Sequence, residues 1–130
     1  MKKDEGRRMK DEKDQPPQDL RQRTKAFALR IIRLFSALPK TTEAQVIGKQ
    51  ILRCGTSVGA QYREGCRARS NAEFISKLES SLQELDETSY WLELLVESGI
   101  VTVNRLDELQ NEANQLIAIF VTCVKNAKNR

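Results

Sequence analysis

Histidine is absent from this sequence of 130 residues, and its absence restricts the chemistry that the chain can perform. Without histidine there are no Ser-His or Cys-His nucleophile pairs, no histidine-ligated metal site and no imidazole base. The carboxylates of Glu84, Asp86 and Glu87 do not change this, because a di-iron bundle site needs Glu-x-x-His pairs. Aromatic residues are only 5% of the chain, so the core must be aliphatic. We predict a protein that is not an enzyme and has no cofactor or metal.

Long apolar runs and paired cysteine motifs are also missing. No stretch approaches the roughly 20 uninterrupted apolar residues of a membrane span, and the N-terminus has no apolar signal-peptide region. We therefore expect a cytoplasmic protein that does not contact membranes. Cys54, Cys66 and Cys123 are odd in number and lack Cys-x-x-Cys spacing, which indicates neither a disulfide framework nor a zinc site. We expect all three to be buried structural thiols.

Residues 1–18 contain too few apolar side chains to fold. Six Lys or Arg and five Asp or Glu occur there, followed by Pro16 and Pro17, and only Met1 and Met9 are apolar. Such a segment buries too little surface to offset the entropy of ordering its backbone. The sequence predicts a disordered charged tail at 1–18 and one domain at 19–130, which is within the usual size of a single domain.

Four segments with apolar residues at three- and four-residue spacing predict amphipathic helices. The predicted helices cover residues 19–38, 42–67, 70–99 and a last segment that includes 106–124. Thr42 with Gln45 and Ser70 with Glu73 have the spacing of a capping box at a helix start. Gly99 is suited to a left-handed helix end.

The apolar stripes of these helices define the expected core. The inward side chains are predicted to be Phe27, Ile31, Leu34, Phe35, Leu38, Ile47, Ile51, Cys54, Val58, Phe74, Leu78, Leu82, Leu85, Leu92, Leu95, Leu106, Leu109, Ala113, Leu116, Phe120 and Val124. Short connections favour antiparallel neighbours, and no alternating strand pattern is visible. The predicted fold is therefore all-α, an antiparallel up-down-up-down four-helix bundle.

Glycine is unexpectedly frequent in the second helix. Gly48, Gly55 and Gly59 share one face with Leu52, and each interior glycine costs about 1 kcal/mol relative to alanine. The segment lacks the Gly-Lys-Ser/Thr end of a phosphate loop and a preceding strand. We expect the glycines to allow close approach of another backbone, either within the chain or across a subunit interface.

Charge is divided unevenly along the chain. Residues 19–69 carry eleven Lys or Arg and three Asp or Glu, a net charge of +8, whereas residues 70–112 carry two and ten, a net charge of −8. The sequence thus predicts a basic half in helices one and two and an acidic half in helix three and the start of helix four. The candidate nucleic-acid-binding residues are Arg21, Arg23, Lys25, Arg30, Arg33, Arg53, Arg63, Arg67 and Arg69.

Three interpretations of this division are open. A basic surface that neutralises phosphates would give salt-sensitive binding of RNA or DNA, read by shape and charge rather than by base sequence. Alternatively, the basic half of one copy meets the acidic half of another, and the chain is a protein–protein interaction scaffold, with itself or an unidentified protein as partner. In the third, the charges are solvated or form intrachain pairs worth at most about 1 kcal/mol each. We favour the first interpretation and keep the second as the alternative.

The run from helix two into helix three carries a family resemblance. The residues concerned are Gln50-Ile51-Leu52-Arg53, Ser57-Val58-Gly59-Ala60-Gln61-Tyr62-Arg63-Glu64-Gly65, Arg67-Ala68-Arg69-Ser70, Glu73-Phe74, Lys77-Leu78, Ser81-Leu82-Gln83-Glu84, Asp86-Glu87 and Tyr90-Trp91-Leu92-Glu93-Leu94. This pattern resembles the four-helix bundle proteins encoded in intervening sequences of bacterial 23S rRNA. A more distant similarity is to the accessory variability determinant of diversity-generating retroelements.

The resemblance implies a small bundle that assembles into a homopentamer and has no known catalytic activity. The positions that we assign to structure or to an interface are Gly48, Gly55, Ser57, Gly59, Gln61, Glu64, Glu73 and Phe74. Arg53, Ser57, Gln61 and Glu64 form one polar stripe on helix two, because they are spaced by four, four and three residues. A polar stripe beside a glycine stripe is what a tightly packed interface with a satisfied hydrogen-bond network requires.

Overall fold

The computed structural model describes residues 17–130, which form four α-helices in succession. They are α1 (Pro17–Ala37), α2 (Thr42–Cys66), α3 (Asn71–Glu97) and α4 (Val103–Lys128). Helix α1 starts two residues earlier than predicted, because a proline in the first turn needs no hydrogen-bond partner for its nitrogen. Of the predicted tail at 1–18, residues 1–16 lie outside the described residues, and its disorder stays a prediction.

The start of α2 differs from the predicted capping box. Thr41, not Thr42, is the N-cap, and its hydroxyl accepts a hydrogen bond from the amide of Ala44. Gln45 instead donates its side-chain amide to the carbonyl of Pro39 at 2.8 Å, which fixes the connection after α1. The predicted Thr42–Gln45 capping box is therefore wrong, because the cap lies one residue earlier and Gln45 does not bond to it.

The predicted start and end of α3 are close to the observed ones. The hydroxyl of Ser70 accepts a hydrogen bond from the amide of Glu73 at 3.1 Å, as an N-cap should. The carboxylate of Glu73 accepts from the amide of Arg69 rather than from that of Ser70. Gly99 follows α3 with a φ of 80°, the left-handed conformation that its sequence position predicted.

Each helix packs against the next one along the chain, and α1 and α4 make a smaller contact that closes the bundle. The connections are short, so neighbouring helices run in opposite directions. Within residues 17–130 all regular secondary structure is helical. The predicted all-α, antiparallel four-helix architecture is thus confirmed.

The core is mostly aliphatic, as the composition predicted, and Phe27, Tyr62 and Phe120 are its aromatic members. Its buried apolar side chains are Leu20, Phe27, Ile31, Leu38, Ala44, Ile51, Val58, Tyr62, Leu78, Leu85, Leu92, Leu95, Leu106, Leu109, Ala113, Leu116, Phe120, Val124 and Ala127. Leu34, Phe35, Ile47, Phe74 and Leu82, which we also expected inside, are half-buried against this cluster. Tyr62 is the largest core residue that the apolar pattern did not predict, and its ring packs edge-on to that of Phe120.

Three buried hydroxyl groups donate hydrogen bonds to backbone carbonyls, two within their own helix and one in a neighbouring helix. Thr24 and Thr88 donate to the carbonyls one turn earlier in their own helices, at 2.7 Å in both cases. Ser81 donates across the interface to the carbonyl of Val58 at 2.9 Å, which links α3 to α2. These partners keep the desolvation cost of the hydroxyls low.

The cysteines do not share one environment. Cys54 is fully buried and Cys123 half-buried, but Cys66 is exposed, so the expectation of three buried thiols is wrong for Cys66. Cys66 is the last residue of α2 and directly follows Gly65, which takes the inward position there against Lys77 of α3. No disulfide joins the three residues, all of which lie within the described part of the chain.

Some large apolar side chains remain on the surface. They are Leu29, Ile32, Val46, Tyr90, Val103 and Val121, each between 42% and 57% exposed. Leu29 and Ile32 are neighbours on the outer face of α1 because they are three residues apart. Among the helices of residues 17–130, none is both long and apolar enough to cross a bilayer.

Candidate nucleic-acid interface

Two of the nine candidate basic residues are engaged in ion pairs that join helices. Arg23 of α1 binds both carboxylate oxygens of Glu112 on α4, at 2.8 and 3.1 Å, and also reaches Gln115. Arg53 of α2 binds Glu87 at 2.5 Å and Glu84 at 3.5 Å, both on α3. Because these two guanidinium groups already form ion pairs within the bundle, they are not part of the candidate interface.

The other seven candidates have no carboxylate within ion-pairing distance among the described residues. They are Arg21, Lys25, Arg30, Arg33, Arg63, Arg67 and Arg69. Five of them lie exposed or half-buried at the end of the bundle where α1 begins and α2 ends, namely Arg21, Lys25, Arg63, Arg67 and Arg69. Arg30 and Arg33 lie further along α1, toward the opposite end.

Helix packing shows which residues share that end. A Cβ on Gly59 would lie 3.0 Å from the hydroxyl of Thr24, so these two positions are level in the antiparallel pair α1 and α2. One turn beyond them, Arg21 and Arg63 are level with each other. At the end of α4, Arg130 donates to the side-chain oxygen of Asn71 at 3.3 Å, which places it beside the start of α3.

The two ends of the bundle differ in charge. We define the basic end as residues 17–27, 55–83 and 116–130, which hold ten Lys or Arg and four Asp or Glu, a net charge of +6. The remaining residues, 28–54 and 84–115, form the acidic end, with six basic and nine acidic side chains and a net charge of −3. The predicted division by helices is kept in the fold, because residues 17–69 of α1 and α2 carry a net charge of +8 and residues 70–130 a net charge of −5. The contrast between the two ends is a second, smaller division along the bundle axis.

Carboxylates at the basic end are mostly neutralised. Glu64 pairs with Lys77 at 2.7 Å, and Glu79 pairs with Lys128 at 3.1 Å. Glu73 accepts a hydrogen bond from the backbone of Arg69. Exposed pairs of this kind contribute little stability, but they leave the unpaired guanidinium groups as the dominant charges of this surface.

A cavity opens at the basic end between the end of α2, the first turn of α3 and the end of α4. Its volume is about 700 Å³. It is lined by Tyr62, Gly65, Cys66, Ala68, Arg69, Ser70, Asn71, Phe74 and Arg130. Burial, then the hydrogen bond with Cys66, raises the pKa of Tyr62, so its phenol stays neutral in the fold. Sequence reasoning missed this cavity, because Asn71 and Arg130 are 59 positions apart and nothing in their spacing links them.

The glycines of α2 approach helices of the same chain. Gly48, Gly55 and Gly59 face α1, where an added Cβ would lie 2.6 to 3.0 Å from side-chain atoms of Leu38, Ile31 and Thr24 respectively. The sequence left open whether the glycines contact a helix of the same chain or of another subunit. The observed contacts are with α1 of the same chain. They explain the glycine content by packing of α1 against α2.

The polar positions assigned to structure lie on the α3 side of α2. Ser57 donates to the carbonyl of Arg53 at 2.8 Å, and Glu64 pairs with α3 as described above. Gln61 is half-buried on the same stripe. Phe74 is half-buried under the guanidinium group of Arg130, 5.4 Å from the ring centroid. The polar stripe on α2 thus contacts α3 of the same chain.

The acidic end has a second, smaller cavity. This cavity of about 260 Å³ between α3 and α4 is lined by carboxylates and apolar side chains that include Glu93, Glu97, Asp107, Val103 and Leu106. Within residues 17–130 no group of three or more His, Cys, Asp or Glu side chains is arranged to hold a metal ion.

Comparison with known proteins gives a family match and a structural relative. A family model described as 23S rRNA-intervening sequence protein matches residues 18–122. A crystal structure from Bacteroides thetaiotaomicron, described as a protein with unknown function from the S23 ribosomal protein family, is 37% identical to the chain. The alignment covers 81% of this chain and 97% of that one, with a TM-score of 0.77. No match is found among curated proteins.

Proposed function

The chain belongs to the 23S rRNA-intervening sequence protein family, and from this premise we propose that it is a non-catalytic cytoplasmic protein that binds RNA or DNA through the basic end of its bundle. The resemblance identified from the sequence is confirmed at the level of this family. The similarity to the retroelement accessory protein stays a prediction.

One observation carries the proposal. Arg21, Lys25, Arg63, Arg67 and Arg69 are gathered at one end of the bundle, and no carboxylate of the described residues pairs with them. Side chains that are not already paired can bind phosphates and release the counterions condensed on a nucleic acid. The surface has few aromatic platforms, so we expect the backbone to be recognised rather than the base sequence.

Self-association is a second element of the proposal. Leu29 and Ile32, 42% and 43% exposed, form an apolar strip on the outer face of α1 that a second copy would cover. We propose a ring, a homopentamer by family resemblance, in which each copy contributes its basic end to a shared surface. In the alternative function, the charged ends serve assembly alone and the protein is an interaction scaffold.

Binding measured at two salt concentrations separates these functions. Labelled RNA and DNA of mixed sequence are titrated with the protein in a gel-shift assay, while light scattering reports its mass. We expect micromolar or tighter binding that weakens at the higher salt concentration with the mass unchanged. Negligible binding together with dissociation of the oligomer in high salt would support the scaffold instead and overturn the proposal.

A further inference from the structure

The cavity at the basic end combines fixed positive charge with an apolar wall. The guanidinium group of Arg130 is positioned by Asn71 and by the ring of Phe74. Asn71 is itself fixed, because its side-chain nitrogen donates to the carbonyl of Ala127 at 2.8 Å. A cation held in this way loses little conformational freedom when it binds a ligand, which favours affinity.

A second guanidinium group lines the same cavity. Arg69 belongs to the connection between α2 and α3, and its backbone amide is anchored by the carboxylate of Glu73. Planar guanidinium groups match the geometry of phosphate oxygens and bind them with paired hydrogen bonds. The first turn of α3 adds partial positive charge through its helix dipole, whereas the ends of α2 and α4 add partial negative charge, so the two arginines supply the positive character of the cavity.

The size of the cavity suits a small molecule better than a simple ion. At about 700 Å³ it falls within the range of small-molecule sites and is far larger than one phosphate group. Phe74 and Ala68 supply an apolar wall beside the two arginines. A ligand that fills the cavity therefore combines a phosphate with a planar or apolar group.

We propose that this cavity binds one nucleotide, with its phosphate between Arg69 and Arg130 and its base against the wall that includes Phe74. The inference rests on the proposed function and specifies the ligand at the same end of the bundle. Two sources have this chemistry, a free mononucleotide and the 5′-phosphorylated end of a strand. In both, a terminal phosphate enters the cavity.

The test compares two fluorescein-labelled single strands of ten nucleotides that differ only at the 5′ end, one phosphorylated and one with a free hydroxyl. Fluorescence anisotropy should show that the phosphorylated strand binds about tenfold more tightly, the size expected for a charge-assisted hydrogen bond. Equal affinity for both strands would overturn this inference and leave the proposed function standing. If neither strand binds, both fail.

Competitors distinguish the two sources. If AMP abolishes the preference for the phosphorylated strand and adenosine does not, a free mononucleotide is sufficient to fill the cavity. If the preference persists in excess AMP, the ligand is a strand end. If adenosine abolishes the preference as well, the base alone fills the cavity, and the wall that includes Phe74 supplies most of the affinity.

Single substitutions locate the effect within the basic end. Arg69→Ala and Arg130→Ala should each reduce the preference for the 5′-phosphate toward one. Arg67→Ala is the matched control, since Arg67 carries the same charge nearby but does not line the cavity. We expect it to weaken the binding of both strands alike and to retain the preference. A preference lost in the control but kept in the cavity variants would contradict the assignment.

Discussion

At the scale of single residues, Gly55 sets the distance between α1 and α2. A Cβ on this residue would lie 2.8 Å from Cγ1 and 3.0 Å from Cγ2 of Ile31. Ile31 is fully buried and β-branched, so it has one preferred rotamer in a helix and cannot turn away. The close contact is therefore relieved only by separating the two helices or straining the side chain.

We predict that Gly55→Ala lowers the free energy of unfolding by about 1 to 3 kcal/mol. The change is destabilising even though alanine is the better helix former by about 1 kcal/mol. Urea denaturation provides the measurement, and the control is the same substitution in an Ile31→Ala background, where the obstructing atoms are gone. The cost should be smaller there, and an identical cost in both backgrounds would show that steric contact with Ile31 is not the cause.

Burial of the Cys54 thiol makes the stability of the fold depend on pH in the alkaline range. Burial raises the pKa of this thiol above the ordinary value of 9.0, and the nearby hydroxyl of Thr88, 3.0 Å from the sulfur, only partly offsets this. The native state therefore keeps its proton at a pH where the unfolded chain loses it. Because the unfolded state then binds fewer protons, stability should fall as the pH rises above about 9.

The expected loss is up to about 1.4 kcal/mol for each pH unit between the unfolded and the raised native pKa of Cys54. Urea denaturation between pH 8 and pH 10 measures it, with Cys54→Ala as the comparison. The variant should show a flatter dependence on pH, although Tyr62 and Cys123, whose pKa values are also raised by burial, still contribute. The same slope in both proteins would contradict this assignment.

At the scale of the helices, the starts are set by caps that sequence spacing does not fully determine. Two threonines stand side by side at the start of α2, and only Thr42 has a glutamine three residues later. The structure uses Thr41, because an N-cap hydroxyl needs only a backbone amide as its partner, which any residue supplies. At α3 the neighbour Asn71 is also a suitable cap, but Ser70 has the glutamate three residues later, and there the N-cap prediction is correct.

This difference gives a prediction for α2. Thr41→Ala should lower the free energy of unfolding by about 1 kcal/mol, since it leaves the amide of Ala44 without its cap. Thr42→Ala, at an exposed position inside the first turn, should change it by less than about 0.5 kcal/mol. Thermal and urea unfolding of the two variants measure both values. The reverse order would restore the capping box that the sequence predicted.

Periodicity determined the rest of the helical architecture well. The inward stripes of α1 to α4 follow from three- and four-residue spacing, and most of those side chains are fully buried. The apolar pattern does not predict Tyr62 as a core residue, because its hydroxyl makes tyrosine count as polar although its ring is buried. It also cannot say that Arg23 meets Glu112, 89 positions away, because that pairing depends on how α1 and α4 come together.

At the scale of the whole molecule, antiparallel folding rearranges the charge blocks of the sequence. The end of α2 lies beside the start of α3, so the boundary between the +8 and −8 segments falls inside one end of the bundle. Arg53 and Lys77 then pair with carboxylates across the α2 and α3 interface. Folding thus adds a contrast between a basic and an acidic end to the contrast between α1–α2 and α3–α4, and the charge blocks of consecutive residues do not reveal it.

The most direct test of this account measures how salt changes nucleic-acid affinity in two double variants of equal charge. Arg67→Ala with Arg69→Ala removes two unpaired cations from the basic end, whereas Lys40→Ala with Arg105→Ala removes two exposed cations from the acidic end. For duplex DNA, we expect the slope of log affinity against log salt to become shallower by about two for the first variant and to stay at the wild-type value for the second. Equal slopes in both variants would show that overall charge, and not the basic end, binds the nucleic acid.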